Sequence, residues 1–235
     1  MSNTHIIISC LVAVGVALLT VSYVNSMQTR KRLIQQRLAQ LKRKVAEKEE
    51  LASVIEPLLG STEIEKIVLE DILDTLKGMQ QLSPGSTSLE ISVESIIKRL
   101  DEVNDPAYHA RLNRVLDSDA QIARARYQLG EAGRIVRKRQ AAGLIELARM
   151  NTFIEELAWA HLMVLVVSLV AQGQKAMTNS NVLRAYSFYK KAQEGAMAGN
   201  VKDERRYQLI KELGEMQSGN RTSLSIDLMP EAVTD

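Results

Sequence analysis

The stretch LAWAHLMVLVVSLVA, Leu157 to Ala171, carries no formal charge, and only His161 and Ser168 break its apolar character. As a helix it measures about 22 Å at about 1.5 Å per residue, short of the roughly 30 Å of a bilayer's hydrocarbon layer. Two readings compete: an insertion into a membrane, or a helix apolar on every side at the centre of a bundle. The length favours the bundle centre. The choice sets the topology of everything after it.

Outward from this stretch the chain reads as all-α. Leu, Ala, Glu, Lys, Arg and Gln are abundant, aromatic residues make up 4%, and four prolines serve 235 residues; such side chains lose little rotamer freedom in helices. Thr152 with Glu155 is a capping-box start for the apolar helix. Before it, Asp105-Pro106 marks the start of a long helix with Tyr108, Leu112, Val115, Ile122, Leu129 and Val136 on one side. Gly130, Gly133 and Gly143 weaken that helix locally or permit close packing. Earlier still, Thr62 with Glu65 opens a helix to about Leu82, SPGSTS (Ser83 to Ser88) is a turn, and a helix follows from Leu89 to about Val103.

The N-terminus holds a longer apolar run. Ile6 to Val24 is uncharged and spans about 28 Å as a helix, enough to cross a bilayer. Arg30, Lys31, Arg32, Arg37, Lys42, Arg43 and Lys44 follow it, with no acid until Glu47, whereas no Lys or Arg precedes it. The positive-inside rule then sets Arg30, Lys31 and Arg32 in the cytoplasm and the N-terminus outside. A cleaved signal peptide carries its charge before the apolar core, not after it. IISC, ending at Cys10, loosely resembles a lipobox, but the apolar run continues well beyond the cysteine; Cys10 reads as a small apolar residue within the membrane. As the single cysteine, it excludes an internal disulfide. The expected localisation is a cell membrane, crossed once, with the bulk of the chain cytoplasmic.

Beyond the anchor, Met27, Ile34, Leu41 and Ile55 fall at one heptad position and Leu38, Val45, Ala52 and Leu59 at its partner, with Lys31 and Lys48 as exceptions. This is a coiled-coil-like seam ended by Pro57 and Gly60. It serves equally as a face packed on its own domain or as a site of parallel self-association. The expected division is residues 1–26 anchor, 27–60 basic juxtamembrane stalk, 61–217 cytoplasmic helical domain, and 218–235 a disordered tail without periodicity.

Near the C-terminus, GQKAMTNSNVLRAYSFYKKA places Ala185 twelve positions after Gly173, with Tyr189 and Ala192 following at helical spacing. From about Val166 to Ala198 this resembles one tetratricopeptide-type hairpin, with Tyr189 where the family has Phe. The resemblance implies two helices in close approach at Gly173, Ala185 and Ala192 with an aromatic ring between them. Leu169, Gln172 and Ala176 depart from the family's Trp, Leu and Tyr, no proline closes the unit, and no second copy follows. A lone repeat needs neighbouring helices to cover it, so the resemblance implies a packing unit, and no peptide-groove residues are carried over.

Charge is uneven although the formal net is only +2. Residues 45–105 hold fourteen acids against five bases, and 106–149 hold nine bases against four acids. Arg134, Arg137, Lys138 and Arg139 could meet an anionic partner such as nucleic acid or lipid. The competing reading has the basic helix antiparallel beside the acidic ones, forming ion pairs within the chain. Val182, Ala185, Tyr186, Tyr189 and Ala192 form one stripe, leaving Phe188 off it as a candidate partner contact if exposed. His5, His109 and His161 lack ligand spacing, and His161 reads as a core histidine. No phosphate-cradling loop, nucleophile elbow or Cys/His pairing is present, so the expectation is no enzyme, no cofactor, no metal and no small-molecule ligand. The expected work is scaffolding at a membrane, through a protein partner or self-association. The alternative is a membrane-tethered nucleic-acid binder using Arg134 to Arg139.

Overall fold

The computed structural model describes residues 2–105, 108, 111–199 and 201–229, and within these the side chains of residues 22 and 23 and from 25 onward. The anchor positions Ile6 and Val24, with His5, Cys10 and His109, lie outside the described side chains. Among the described residues the chain is all-α: α1 (Ser2–Ile55), α2 (Glu63–Leu82), α3 (Thr87–Asn104), α4 (Asp119–Ala141), α5 (Leu147–Thr178), α6 (Val182–Ala198) and α7 (Arg205–Gln217).

α1 is continuous over 54 residues, about 80 Å at about 1.5 Å per residue. It tightens into a 3-10 turn, Glu56–Leu58, where Pro57 lacks the N–H that would continue the ladder. α2 turns back along α1: Lys48 reaches Asp71 and Thr75. α3 packs on α2. α4 crosses the same face, Arg124 at its start meeting Glu50 and Arg139 at its end meeting Glu70 and Asp74. It therefore runs antiparallel to α1, whose end carries Glu50, and in the same sense as α2, so the expected antiparallel pairing holds with α1 and not with α2.

α5 is the spine. Its Phe153, Leu157, Ala160 and Val164 enter a core shared with α1 to α4. Trp159, Met163, Val166, Val167 and Val170 enter a second core with α6, α7 and the chain's end. Leu165 touches both. Two cores on different sides of one helix explain an apolar run without a polar face: no residue from Leu157 to Ala171 is exposed. Among the described residues α5 is the helix long and apolar enough to cross a membrane, and 67% of its apolar window is buried inside the protein.

Several boundaries differ from the sequence reading. The helix expected from Pro106 begins at Asp119, where Ser118 accepts the Gln121 N–H (3.3 Å) while the Gln121 side chain accepts the Asp117 N–H (3.1 Å), a reciprocal N-terminal cap. Residues 111–118 instead form an irregular strap. Asn113 N–H donates to Pro57 O, Leu116 N–H donates to Ser168 Oγ, and that hydroxyl donates to Arg114 O. Buried Ser168 is thus satisfied, which is why a serine sits in so apolar a run.

α5 starts at Leu147, not Thr152, whose hydroxyl donates back to Ala148 O inside the helix. The break before it is Gly143, at φ +74°, closing α4 with Leu144 N–H to Arg139 O and Gly143 N–H to Gln140 O. This is a left-handed helix stop and not an internal weak point. At Thr62 no side-chain cap forms, because its backbone is itself helical (φ -82°, ψ -9°), and the Glu65 side chain turns inward to Arg99. The segment expected to be a disordered tail packs as far as it is described: Leu224, Leu228 and Met229 are buried in the second core, and Ser225 N–H donates to Glu212. Aperiodic spacing hid them because they plug the core from a loop.

The α5–α6 turn uses the same stop as Gly143, with Ser180 in the glycine's place at φ 58°. A non-glycine residue is strained there by about 1 kcal/mol. Ser180→Gly is expected to stabilise the protein by roughly that amount, read as a raised midpoint in chemical unfolding.

Candidate functional site

The free part of α1 is the first candidate surface. Residues 25–33, including Arg30, Lys31 and Arg32, are exposed, with Tyr23 66%, Met27 50% and Leu33 60% accessible. Downstream the heptad face enters the bundle: Ile34 is half-buried, Leu38 and Leu41 pack on the edge of the first core, and Val45, Ala52 and Ile55 are buried within it. One face is thus open before Ile34 and covered by α2 and α4 after Leu41. From Val24 to Leu38 the helix rises about 21 Å.

Where α1 meets the bundle, charges concentrate. Asp71, 4% exposed, lies 2.6 Å from Lys48 Nζ and 2.9 Å from Lys138 Nζ. Arg139, 8% exposed, reaches Glu70 and Asp74 at 2.9 Å each. Arg134 pairs with Glu131, and among the described residues Arg137 makes no ion pair. Of the four cations read as an anionic-partner patch, three are therefore engaged with acids of the chain. A cavity of about 500 Å³ opens beside them, lined by Arg37, Leu41, Gln81, Leu82, Lys138 and Leu144 among others.

Burial alone would raise the Asp71 carboxyl, but hydrogen bonds and charge from Lys48 and Lys138 outweigh it and hold Asp71 below the ordinary aspartate value of 3.8. The folded state then favours ionised Asp71. That contribution is fully present above pH 3.8 and is lost as the pH falls through the folded value. Asp71→Asn is expected to cost about 1 to 2 kcal/mol at pH 7. It also reduces the acid-side slope in a series of unfolding curves between pH 5 and about pH 2, leaving the part that Asp203 and Glu212 contribute.

The second candidate surface is the α5–α6 hairpin. Gly173, Ala185, Tyr189 and Ala192 come together: a Cβ on Gly173 would lie 2.4 Å from Tyr189 Cε1, and the other three are buried. Gly195 and Gly199 lie against Leu165 and Leu162, so α6 returns antiparallel to α5. α7 covers the pair, with Arg206 donating to Ala196 O and Met197 O and with the Arg205 guanidinium 4.3 Å from the Trp159 ring. Phe188 is half-buried, with Arg184 5.6 Å and Lys191 6.0 Å from its ring centroid. It lines a groove of about 290 Å³ with Asp117, Gln172, Lys175 and Arg184. The protruding apolar side chain on α6 is instead Leu183, 86% exposed, and Val182 leaves the buried stripe at 43%. Val182 thus departs from the stripe expected of it, and Leu183, which also falls off the periodic face, was not singled out from the sequence.

A polar cluster escaped the sequence reading. Glu65, 1% exposed, receives Arg99 Nη2 at 2.9 Å, and the same guanidinium reaches Glu56 at 3.2 Å. Tyr108 donates to Glu56 at 2.5 Å, and Glu65 Oε2 meets no donor among the described residues. Burial pushes Glu65 above the usual carboxylate range, and Arg99 offsets this only in part. These contacts join residues far apart in sequence, so no spacing rule could have found them. His161 accepts Arg126 Nε–H on Nε2 at 3.1 Å, and burial followed by the Arg126 charge lowers its proton affinity. Tyr207 stands on the outer surface of α7, 74% exposed.

No family model, curated protein or solved structure matches the chain. The fold by itself defines a class: an all-α protein in which a long N-terminal helix leads into a bundle with two cores along a central helix.

Proposed function

We propose that this chain is a membrane-anchored helical scaffold. It crosses the bilayer once through residues 1–26, N-terminus outside, and holds its helical part at the cytoplasmic face to capture a protein partner or another copy. The observation that carries this reading is α1. One uninterrupted helix runs from the apolar segment through Arg30, Lys31 and Arg32 into the first core, and ends only at Ile55, before the turn at Pro57. An anchor joined to its domain by a continuous helix fixes the domain's distance and orientation, and confinement raises the effective concentration of partners without chemistry. The coiled-coil-like seam and the tetratricopeptide-like hairpin would supply the binding surfaces, the hairpin offering Leu183 and the groove beside Phe188. The experiment is crosslinking in native membranes followed by mass spectrometry. The reading requires specific crosslinks to a protein, or between copies, from α1 or from α5 and α6. A protein that remains uncrosslinked and monomeric at high concentration removes its support.

The nucleic-acid alternative is less favoured, because Lys138 and Arg139 already meet Asp71, Glu70 and Asp74. A salt-sensitive shift with DNA or RNA, abolished by Arg137→Ala, Lys138→Ala and Arg139→Ala together, would restore it.

A further inference from the structure

Resting on the scaffold reading and naming its partner, we infer that the open face of α1 docks an acidic amphipathic helix of another protein. The apolar stripe Met27, Ile34, Leu38 and Leu41 has the spacing of Val45, Ala52 and Ile55, which α2 and α4 cover. Those two helices stop at Leu82 and Ala141, and their ends meet Arg37 and Leu41 around the cavity of about 500 Å³. Upstream of that level no described residue of the chain covers the stripe at Met27, which is 50% exposed. A helix laid on it would extend the bundle's packing by further turns, with the cavity at its end.

Charge selects the occupant. Between Asn25 and Ala46 every charged residue is Lys or Arg. Two copies anchored in one membrane can pair their α1 helices only in parallel. In that arrangement Arg37 of each copy flanks the seam opposite Lys42 of the other, while Lys31 sits in the seam itself. Like charges so placed oppose pairing. A helix with Glu or Asp flanking its apolar stripe meets opposite charge at the same positions. The open part of the stripe, from Met27 to Ile34, covers about two turns before Leu38 and Leu41 pack on the first core, too short for apolar contact alone to hold two helices. Charge complementarity then fixes register and orientation.

The test uses the full-length protein in nanodiscs of zwitterionic lipid and two labelled heptad peptides. Both peptides carry a Leu/Ile seam; one has Glu at the flanking positions and the other Lys. The Glu peptide is expected to bind saturably, at least about tenfold tighter than the Lys peptide and more weakly as salt rises. Met27→Asp with Ile34→Asp should abolish binding, and these positions precede the buried core, so the bundle's circular dichroism should be unchanged. Arg37→Glu with Lys42→Glu should reverse the preference toward the Lys peptide. Equal binding of both peptides overturns the inference. So does an efficient disulfide between copies at Ile34→Cys, and so does binding of anionic vesicles by the α1 cations with neither peptide retained. Failure here with partners still crosslinked through α5 and α6 leaves the scaffold standing; peptide binding without any crosslinked partner in native membranes sinks the scaffold instead.

Discussion

Gly173→Ala is expected to destabilise the protein by about 2 to 3 kcal/mol, an unusual cost for adding one methyl group to a helix. Alanine ordinarily improves a helix interior by up to about 1 kcal/mol relative to glycine. Here the new Cβ would stand 2.4 Å from Tyr189 Cε1 and 2.9 Å from Cδ1, and Tyr189 is only 3% exposed, so the ring has nowhere to turn. The helices must part, and with them the packing of the second core. Gly130→Ala is the internal control: no atom lies within 4 Å of its Cβ position, and it should stabilise by about 0.5 to 1 kcal/mol. Urea unfolding of both variants checks the pair. Equal effects would mean that the α5–α6 approach is looser than the structure has it.

The second large effect is at Arg99. Arg99→Ala removes the counter-ion of Glu65, which is 1% exposed and has no other donor among the described residues. Breaking a buried pair on one side costs about 3 to 5 kcal/mol; because the Arg99 side chain is 28% accessible, the expected loss at pH 7 is nearer about 2 to 3 kcal/mol. Glu65 binds its proton more readily folded than unfolded, so its effect on stability worsens as the pH rises from 4.5 through the raised folded value, then levels off. The gap between Arg99→Ala and the parent protein should therefore narrow as the pH is lowered through the raised folded value and Glu65 takes up its proton. Adding Glu65→Gln to Arg99→Ala should recover most of the loss at pH 7. A penalty that persists unchanged at low pH would assign the effect to lost guanidinium packing instead.

The sequence showed most where local rules act and least where distant residues meet. The α3 boundaries to within two residues, the end of α1 just before Pro57 and the turn beginning at Ser83 follow from backbone chemistry within a few residues. The start of α4 lies thirteen residues beyond the Asp105-Pro106 signal, at a second polar pair. Ser118 with Gln121 caps it there, while residues 111–118 find partners on Pro57 and Ser168 that no periodicity reports. The inward turn of Glu65 similarly replaced its expected capping role with a long-range ion pair. Among the candidate surfaces, the close approach at Gly173 was legible because small residues at helical spacing leave a mark. The engagement of Lys138 and Arg139 could be anticipated only as a balance of charge between segments, since their partners lie 67 and 65 to 69 positions away.

The central claim is that α1 is the one crossing and that α5, despite its apolar run, stays in the bundle. Single cysteines placed by Ser2→Cys, Ser88→Cys and Ser187→Cys in a Cys10→Ser background test it directly, using a membrane-impermeant maleimide on sealed cells and on lysed ones. The account predicts labelling at residue 2 from outside, and labelling at residues 88 and 187 only after lysis, both on the same side. Residues 88 and 187 appearing on opposite sides would show α5 crossing the membrane. All three reacting only after lysis, with the protein released by alkaline carbonate, would show no crossing at all.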